Sequence, residues 1–349
     1  MFPPASEQLQ RALANQIQRL PRGVLARLAG PPARAPEGYP MDAEVQFLFR
    51  LGRLVGQMPS HSYPVEVARR RFEVTLRLAT GPYRRGLHVW DQQLTGDASH
   101  LRVRVYRPAS RPAGNAATVF FHGGGFVLGS LDSHDDLCRT IALDADCVVV
   151  AVQYRLAPEA PFPAAYDDAV AAFRAVAASA ASFGARADRL AVAGDSAGGN
   201  LAAEVALATR HDALRPRAQW LIYPATDFTR SAPSHAMFLD LDVLSKATLD
   251  WFLDAYVPDP AMRRDARCSP LFIEDLGGLP PAVVQGAGFD PLRDEAQRYA
   301  EAMRAAGVGV EFRCEEGLPH GWASMLGPSS SARSAVQWGV SRLAAALHR

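Results

Sequence analysis

The sequence predicts an α/β protein: a mostly parallel sheet of eight strands, flanked by helices and carrying a helical cap. Two observations lead there. Six short apolar runs alternate with longer helical stretches over the later part of the chain, the mark of parallel strands buried on both faces. Ahead of them, two alternating runs joined by a turn predict an antiparallel hairpin. The 349 residues, 48% hydrophobic and 21% charged, suffice for one large α/β unit.

Taken in order, residues 1–77 read as an N-terminal segment of helices broken by proline-rich joints such as GPPARAPEGYP (Gly30–Pro40). At its start, Ser6–Leu20 sets Leu9, Leu13, Ile17 and Leu20 at helical spacing and is expected to pack on the protein's own body. Residues 78–349 form the α/β domain. Its hairpin is HVWDQQL and LRVRVYRP, joined by TGDAS. The later strands are ATVFF, CVVVAVQY, LAVAG, QWLIYP, PAVVQGAG and VGVEFRC, with alanine-rich helical segments such as Pro163–Ala181 and Ala197–Arg210 between them. From about 225 to 269 no strand is predicted. One or two amphipathic helices in LDLDVLSKATLDWFLDAYVPDP instead form an insertion, expected over the carboxyl ends of the strands.

Composition narrows the function. The net charge is +1, the arginines are dispersed, and Lys246 is the single lysine; no basic surface for nucleic acid is expected. Cys138, Cys147, Cys268 and Cys314 lack zinc or redox spacing and read as free thiols. His134 beside Asp135 and Asp136 has no matching remote ligand and reads as a solvated helix start, so no metal is expected. No stretch is apolar enough to span a bilayer and the N-terminus lacks a signal-peptide h-region, so a cytoplasmic location is expected.

The chemistry is carried by LAVAGDSAGGNLAAEVAL (Leu190–Leu207), a strand, a tight turn and a helix. Gly194-Asp195-Ser196-Ala197-Gly198 fits G-x-S-x-G, in which a serine at a sharp turn is lifted above the sheet. Side chains at Gly194 and Gly198 would collide where strand and helix cross. The Ala197 amide sits at the helix N-terminus, where partial positive charge favours an oxyanion. Such a serine needs a base. Asp290 in GAGFDPLRDE and His320 in EEGLPHGW follow in the order serine, acid, histidine, each on a loop at the carboxyl edge. His122-Gly123-Gly124-Gly125 after a strand lacks the lysine and spacing of a phosphate loop and fits an oxyanion loop. Gly123 and Gly124 are the donors expected beside Ala197.

At these residues the sequence resembles the bacterial hormone-sensitive-lipase family of carboxylesterases, on HGGGFVLGSLDSHDDLCR, VVAVQYRLAPEAPFPAAYDD, GDSAGGNLAAEVAL, GFDPLRDEAQRYAEAM and GLPHGW, in order from about Thr118 onward. The resemblance implies an α/β-hydrolase fold, with 78–349 as its catalytic domain. It also implies nucleophile Ser196, base His320, orienting Asp290, and oxyanion amides of Gly123, Gly124 and Ala197. The cap would combine the N-terminal helices with the insertion, the substrate would be a small hydrophobic ester with short- to medium-chain acyl groups, no cofactor would be needed, and a homodimer would fit the family. Two departures stand out. Gln153 replaces the usual aspartate, which puts local packing in question, and Trp322 follows His320-Gly321 where phenylalanine is commoner, which would narrow the wall near the histidine.

Phe126 and Val127 after the glycines are the expected pocket walls. In the insertion, Phe238, Leu239, Leu244, Trp251 and Phe252 compete for that role, with Phe238 and Leu244 the chosen pair. Other readings keep the same triad: an amidase, a deacetylase or a lipase. A non-catalytic small-molecule receptor on this fold, as in plant gibberellin receptors that resemble these esterases, would lack the histidine.

Overall fold

In a computed structural model, residues 20–111, 113–239 and 244–348 are described; the expected helix over Ser6–Leu20 lies outside them except for Leu20. Three helices open the described chain: α1 (Arg22–Ala29), α2 (Ala43–Leu54) and α3 (Val65–Leu78). Asp42 caps α2, its carboxylate accepting the amides of Glu44 and Val45 at 3.0 and 3.3 Å, which satisfies amides that have no partner within the helix.

The hairpin is β1 (Leu87–Gln93) and β2 (Arg102–Pro108). Then come β3 (Asn115–Phe121), α4 (Asp135–Asp144), β4 (Val148–Gln153), α5 (Ala164–Ala178), β5 (Ala185–Asp195), α6 (Ala197–Ala208) and β6 (Ala218–Ile222). The insertion holds α7 (Ser234–Met237) and α8 (Lys246–Tyr256). The chain closes with β7 (Ala282–Phe289), α9 (Arg293–Ala305), β8 (Val310–Pro319) and α10 (Ser330–Leu347). All eight expected strands join one sheet in the order β1-β2-β4-β3-β5-β6-β7-β8. β2 pairs antiparallel with β1 and β4, and every other pairing is parallel.

Both faces of the sheet are buried. Val148, Val150 and Val152 of β4 and Leu190 and Val192 of β5 enter one core layer. Their neighbours Val149, Ala151, Ala191 and Ala193 enter the other. The two-residue period of a strand sends successive side chains to opposite faces, so a strand covered on both sides must be apolar throughout.

The strand order also fixes where chemistry can occur. β3 leads through α4 to β4 on one side, whereas its other neighbour β5 leads through α6 to β6 on the opposite side. The loops after β3 and β5 therefore diverge and leave a crevice at their carboxyl ends, the switch point at which open α/β sheets bind ligands.

Candidate active site

Ser196 occupies that crevice. It follows β5 and precedes α6, with φ 56° and ψ −118°, a left-handed conformation that costs a non-glycine residue energy and persists only when its surroundings enforce it. They do. A Cβ on Gly198 would lie 2.5 Å from the Phe121 carbonyl carbon and 2.7 Å from the His122 oxygen. One on Gly194 would meet the Phe121 oxygen at 2.7 Å and the Gly198 backbone closer still. The Ser196 N–H donates to the Ile222 oxygen at 2.9 Å and holds the turn to β6.

The three residues expected to converge are brought together. Ser196 Oγ lies 2.8 Å from His320 Nε2, and His320 Nδ1 lies 2.8 Å from Asp290 Oδ2. Asp290 is fully buried after β7, and its Oδ1 accepts the Leu292 N–H at 2.8 Å. With the Nδ1 proton directed at this carboxylate, Nε2 is left to accept from the serine hydroxyl. The His320 N–H donates to the Phe289 oxygen at 3.3 Å, and the Tyr223 ring lies 4.7 Å from the imidazole, centroid to centroid.

The oxyanion loop corrects one expectation. The Gly123 N–H donates to Asp195 Oδ1 at 2.8 Å, so this amide is committed and cannot serve an oxyanion. Among the described residues the amides of Gly124 and Gly125 have no partner. The loop is held from several directions. The Gly124 carbonyl accepts the amides of Val127 and Leu128 at 3.1 and 2.8 Å. Tyr154 stacks on His122 at 4.3 Å between ring centroids and donates its hydroxyl to the His122 oxygen at 2.6 Å. Burial, reinforced by the neighbouring His134, pulls the His122 imidazole down to about 3, so it stays neutral.

Other expectations are also revised. His134 is no solvated helix start: it is buried and lies 3.2 Å from Asp195 Oδ1. Burial works against the Asp195 charge, yet His134 and the Gly123 amide hold the carboxyl below its ordinary value. Val127 has no exposed surface, and Phe238 packs against Phe289 and under the Arg293 guanidinium. Phe126, at φ 63°, stacks on Tyr256 at 3.8 Å and meets Phe228 edge-on at 5.8 Å. Leu244 is buried just ahead of α8. From the insertion it is the Phe252 ring that lies against Gly125, where any Cβ would overlap it. Trp322 is fully buried and packs edge-on against Tyr223 at 5.3 Å. Gln153 accepts the Leu131 N–H at 3.2 Å, anchoring the chain beyond the oxyanion loop.

Sequence reasoning missed Arg69. From α3 it donates Nε to the Val127 oxygen at 2.8 Å and an Nη to the Ala157 oxygen at 2.9 Å, and it pairs with Glu159 at 2.7 Å. Only its place on a helix of the N-terminal segment was legible.

Comparison with known proteins agrees with this architecture. An α/β-hydrolase family model matches residues 118–324. A carboxylic ester hydrolase of Mycobacterium tuberculosis, LipN, is 44% identical over 271 residues, 75% of this chain and 71% of that one. An ethyl acetate hydrolase of Pseudomonas putida is 41% identical over 284 residues, 80% of this chain and 89% of that one. Among solved structures, an ester hydrolase from the metagenome of Lake Arreo superimposes with a TM-score of 0.81 at 40% identity, over 88% of this chain and 99% of that one. Among the described residues no helix is long and apolar enough to cross a membrane. At these identities, and over this much of each chain, the likeness is one of family and not of fold alone: the chain belongs to the bacterial hormone-sensitive-lipase family of carboxylesterases, within the α/β-hydrolase fold.

Proposed function

We propose that Ser196, His320 and Asp290 carry out ester hydrolysis through an acyl-enzyme. Ser196 Oγ attacks the ester carbonyl while His320 Nε2 takes its proton, and Asp290 steadies the imidazolium. The oxyanion rests on the amides of Gly124, Gly125 and Ala197. His320 returns the proton to the departing alcohol, then activates a water that repeats the attack and releases the acid. Nucleophile, base and charge stabilisation all come from this chain, so the reaction calls on no cofactor. The unbroken hydrogen-bond chain from Ser196 to Asp290, 2.8 Å at each step, supports this reading above all else.

The substrate in this reading is a small hydrophobic ester of short or medium acyl length. Phe252 against Gly125, with Phe126, Tyr256 and Phe228 behind, supports an apolar and restricted acyl site, and the name of the Pseudomonas putida relative points the same way. The N-terminal helices and the insertion act as its cap: Arg69 ties α3 to the oxyanion loop, and Tyr256 ties α8 to Phe126. A cytoplasmic location, a homodimer and the absence of a nucleic-acid partner complete the proposal.

The test is a p-nitrophenyl ester series from acetyl to palmitoyl with wild type and Ser196→Ala. Turnover that peaks at short acyl chains and is abolished in the variant is the expected result. A peak at long chains would make it a lipase. Amide turnover above ester turnover would make it an amidase, and ligand binding without turnover a receptor.

A further inference from the structure

The two halves of the reaction centre come from different strands: the oxyanion loop follows β3, and the nucleophile follows β5. One carboxylate joins them. Asp195, directly before Ser196, accepts the Gly123 N–H on Oδ1 at 2.8 Å. The fit is close enough that a Cβ on Gly123 would lie 2.5 Å from Asp195 Oδ2. Asp195 is 4% exposed, and a carboxylate so buried keeps its charge only with a compensating partner.

His134 is that partner. Its Nε2 lies 3.2 Å from Asp195 Oδ1 and its Nδ1 lies 2.8 Å from Ser133 Oγ. The Ser133 hydroxyl gives its own proton to the Ser130 oxygen at 2.9 Å. With the Ser133 proton used there, Nδ1 is placed to donate to Ser133, and Nε2 faces Asp195 Oδ1 at ion-pair distance. The other titratable groups that face Asp195 are His122 in the oxyanion loop, Cys138 on α4, Tyr154 after β4 and Tyr223 after β6. All four are neutral: burial pulls His122 down and pushes the thiol and both phenols up. Among the described residues, His134 is the one that lies at ion-pair distance from Asp195.

We propose that His134 is a positioning residue for ester hydrolysis: paired with Asp195, it fixes the Gly123 amide and so aims the Gly124 and Gly125 amides at the oxyanion. The proposal rests on the serine-esterase reading above. Gly124 and Gly125, at φ 121° and 61°, have no side chains with which to hold their direction, so the loop depends on its anchors. Without His134, Asp195 takes up a proton more readily and its grip on the Gly123 amide weakens. The donors drift from where charge develops, which harms the transition state more than the bound ester.

The experiment measures p-nitrophenyl butyrate hydrolysis from pH 5 to 9 by wild type, His134→Leu, His134→Gln, Asp195→Asn and Ser196→Ala. His134→Leu should lose about 100-fold in kcat, the scale of one lost oxyanion donor, with KM within about twofold. Its kcat should climb with pH along a limb absent from wild type, as Asp195 gives up the extra proton. Asp195→Asn, which cannot titrate, should lose kcat without that limb, and His134→Gln, which keeps an N–H but no charge, should lose less than His134→Leu. A folded His134→Leu with wild-type kcat overturns the proposal, as does a loss that leaves the pH profile unchanged. If His134→Leu does not fold, His134→Gln against Asp195→Asn decides on the same two readouts. Persistent turnover by Ser196→Ala would instead defeat the serine-esterase reading. Inactive Ser196→Ala beside normal His134 variants would defeat the positioning role alone.

Discussion

Gly198→Ala tests the reaction centre with one methyl group. The added Cβ would lie 2.5 Å from the Phe121 carbonyl carbon and 2.7 Å from the His122 oxygen, where ordinary contact begins near 3.4 Å. The Phe121 carbonyl oxygen would lie closer still. Either the end of β3 or the start of α6 must therefore give way by more than about 1 Å, since both sides of the clash are backbone and no rotamer can absorb it. Overpacking on this scale costs about 1–3 kcal/mol of stability, which a protein with about 5–15 kcal/mol in hand survives. Catalysis is more exposed. The end of β3 carries the oxyanion glycines and the start of α6 carries Ser196, so the shift separates donors from nucleophile, and about 1 Å of misplacement costs roughly 100-fold in rate. The assay is kcat for p-nitrophenyl butyrate beside the thermal midpoint. The expected outcome is a variant that folds with a midpoint a few degrees lower and a kcat about 100-fold down. A Gly198→Ala protein within threefold of wild-type kcat would refute the argument that this crossing sets the active geometry.

Three further expectations follow from the same geometry. Asp290→Asn turns an amide N–H toward His320 Nδ1 and moves the ring proton to Nε2, so kcat should fall about 10⁴-fold at neutral pH with the fold intact, by steady-state kinetics and circular dichroism. Glu204, buried on α6, has its carboxyl pushed well above the ordinary 4.5 by burial first and the charge of Asp265 second. An acid whose folded value is raised contributes stability that is complete below the unfolded value and is lost as pH rises. Urea midpoints of Glu204→Gln should therefore gain on wild type above pH 4.5, by up to about 1.4 kcal/mol per pH unit; a constant difference would count against a buried neutral acid. Burial opposes the charge of Asp168, but Arg155 at 2.7 Å and His100 at 2.9 Å hold its carboxyl below the ordinary value. That stability is present above the unfolded value and lost as pH falls, so Asp168→Asn should cost about 1–3 kcal/mol at pH 7 and converge with wild type in acid, measured by urea unfolding.

The fold was legible because strands buried on both faces must be apolar at every position, as CVVVAVQY and LAVAG are. The run is shorter than the strand wherever a strand reaches solvent: β5 begins at Ala185 with the polar stretch ARADR, and β8 continues to Pro319 through two glutamates. The Ser196 turn was legible for a different reason, since glycine at 194 and 198 is demanded by a backbone crossing that local sequence encodes. The Gly123 amide was not, because its direction is set by Asp195, a carboxylate from another strand. His134 escaped notice likewise: two aspartates beside it suggested solvent, while its true partner stands 61 positions along the chain. Helical spacing marked both Phe238 and Phe252 as inward-facing but could not say inward toward what. One meets Phe289 in the core and the other meets Gly125.

Arg69 carries a lesson for anyone who would engineer this protein by exchanging parts. A single guanidinium on α3 grips the Val127 and Ala157 carbonyls and the Glu159 carboxylate, so the segment that would shape substrate preference also tightens the loop that would set the rate. The N-terminal region is thus no interchangeable attachment. A chimera that imports residues 1–77 from a relative inherits that relative's clamp, and its turnover changes along with its selectivity unless an arginine arrives at the same place. Trimming the chain ahead of α3 leaves the clamp whole, whereas a cut beyond it releases the loop.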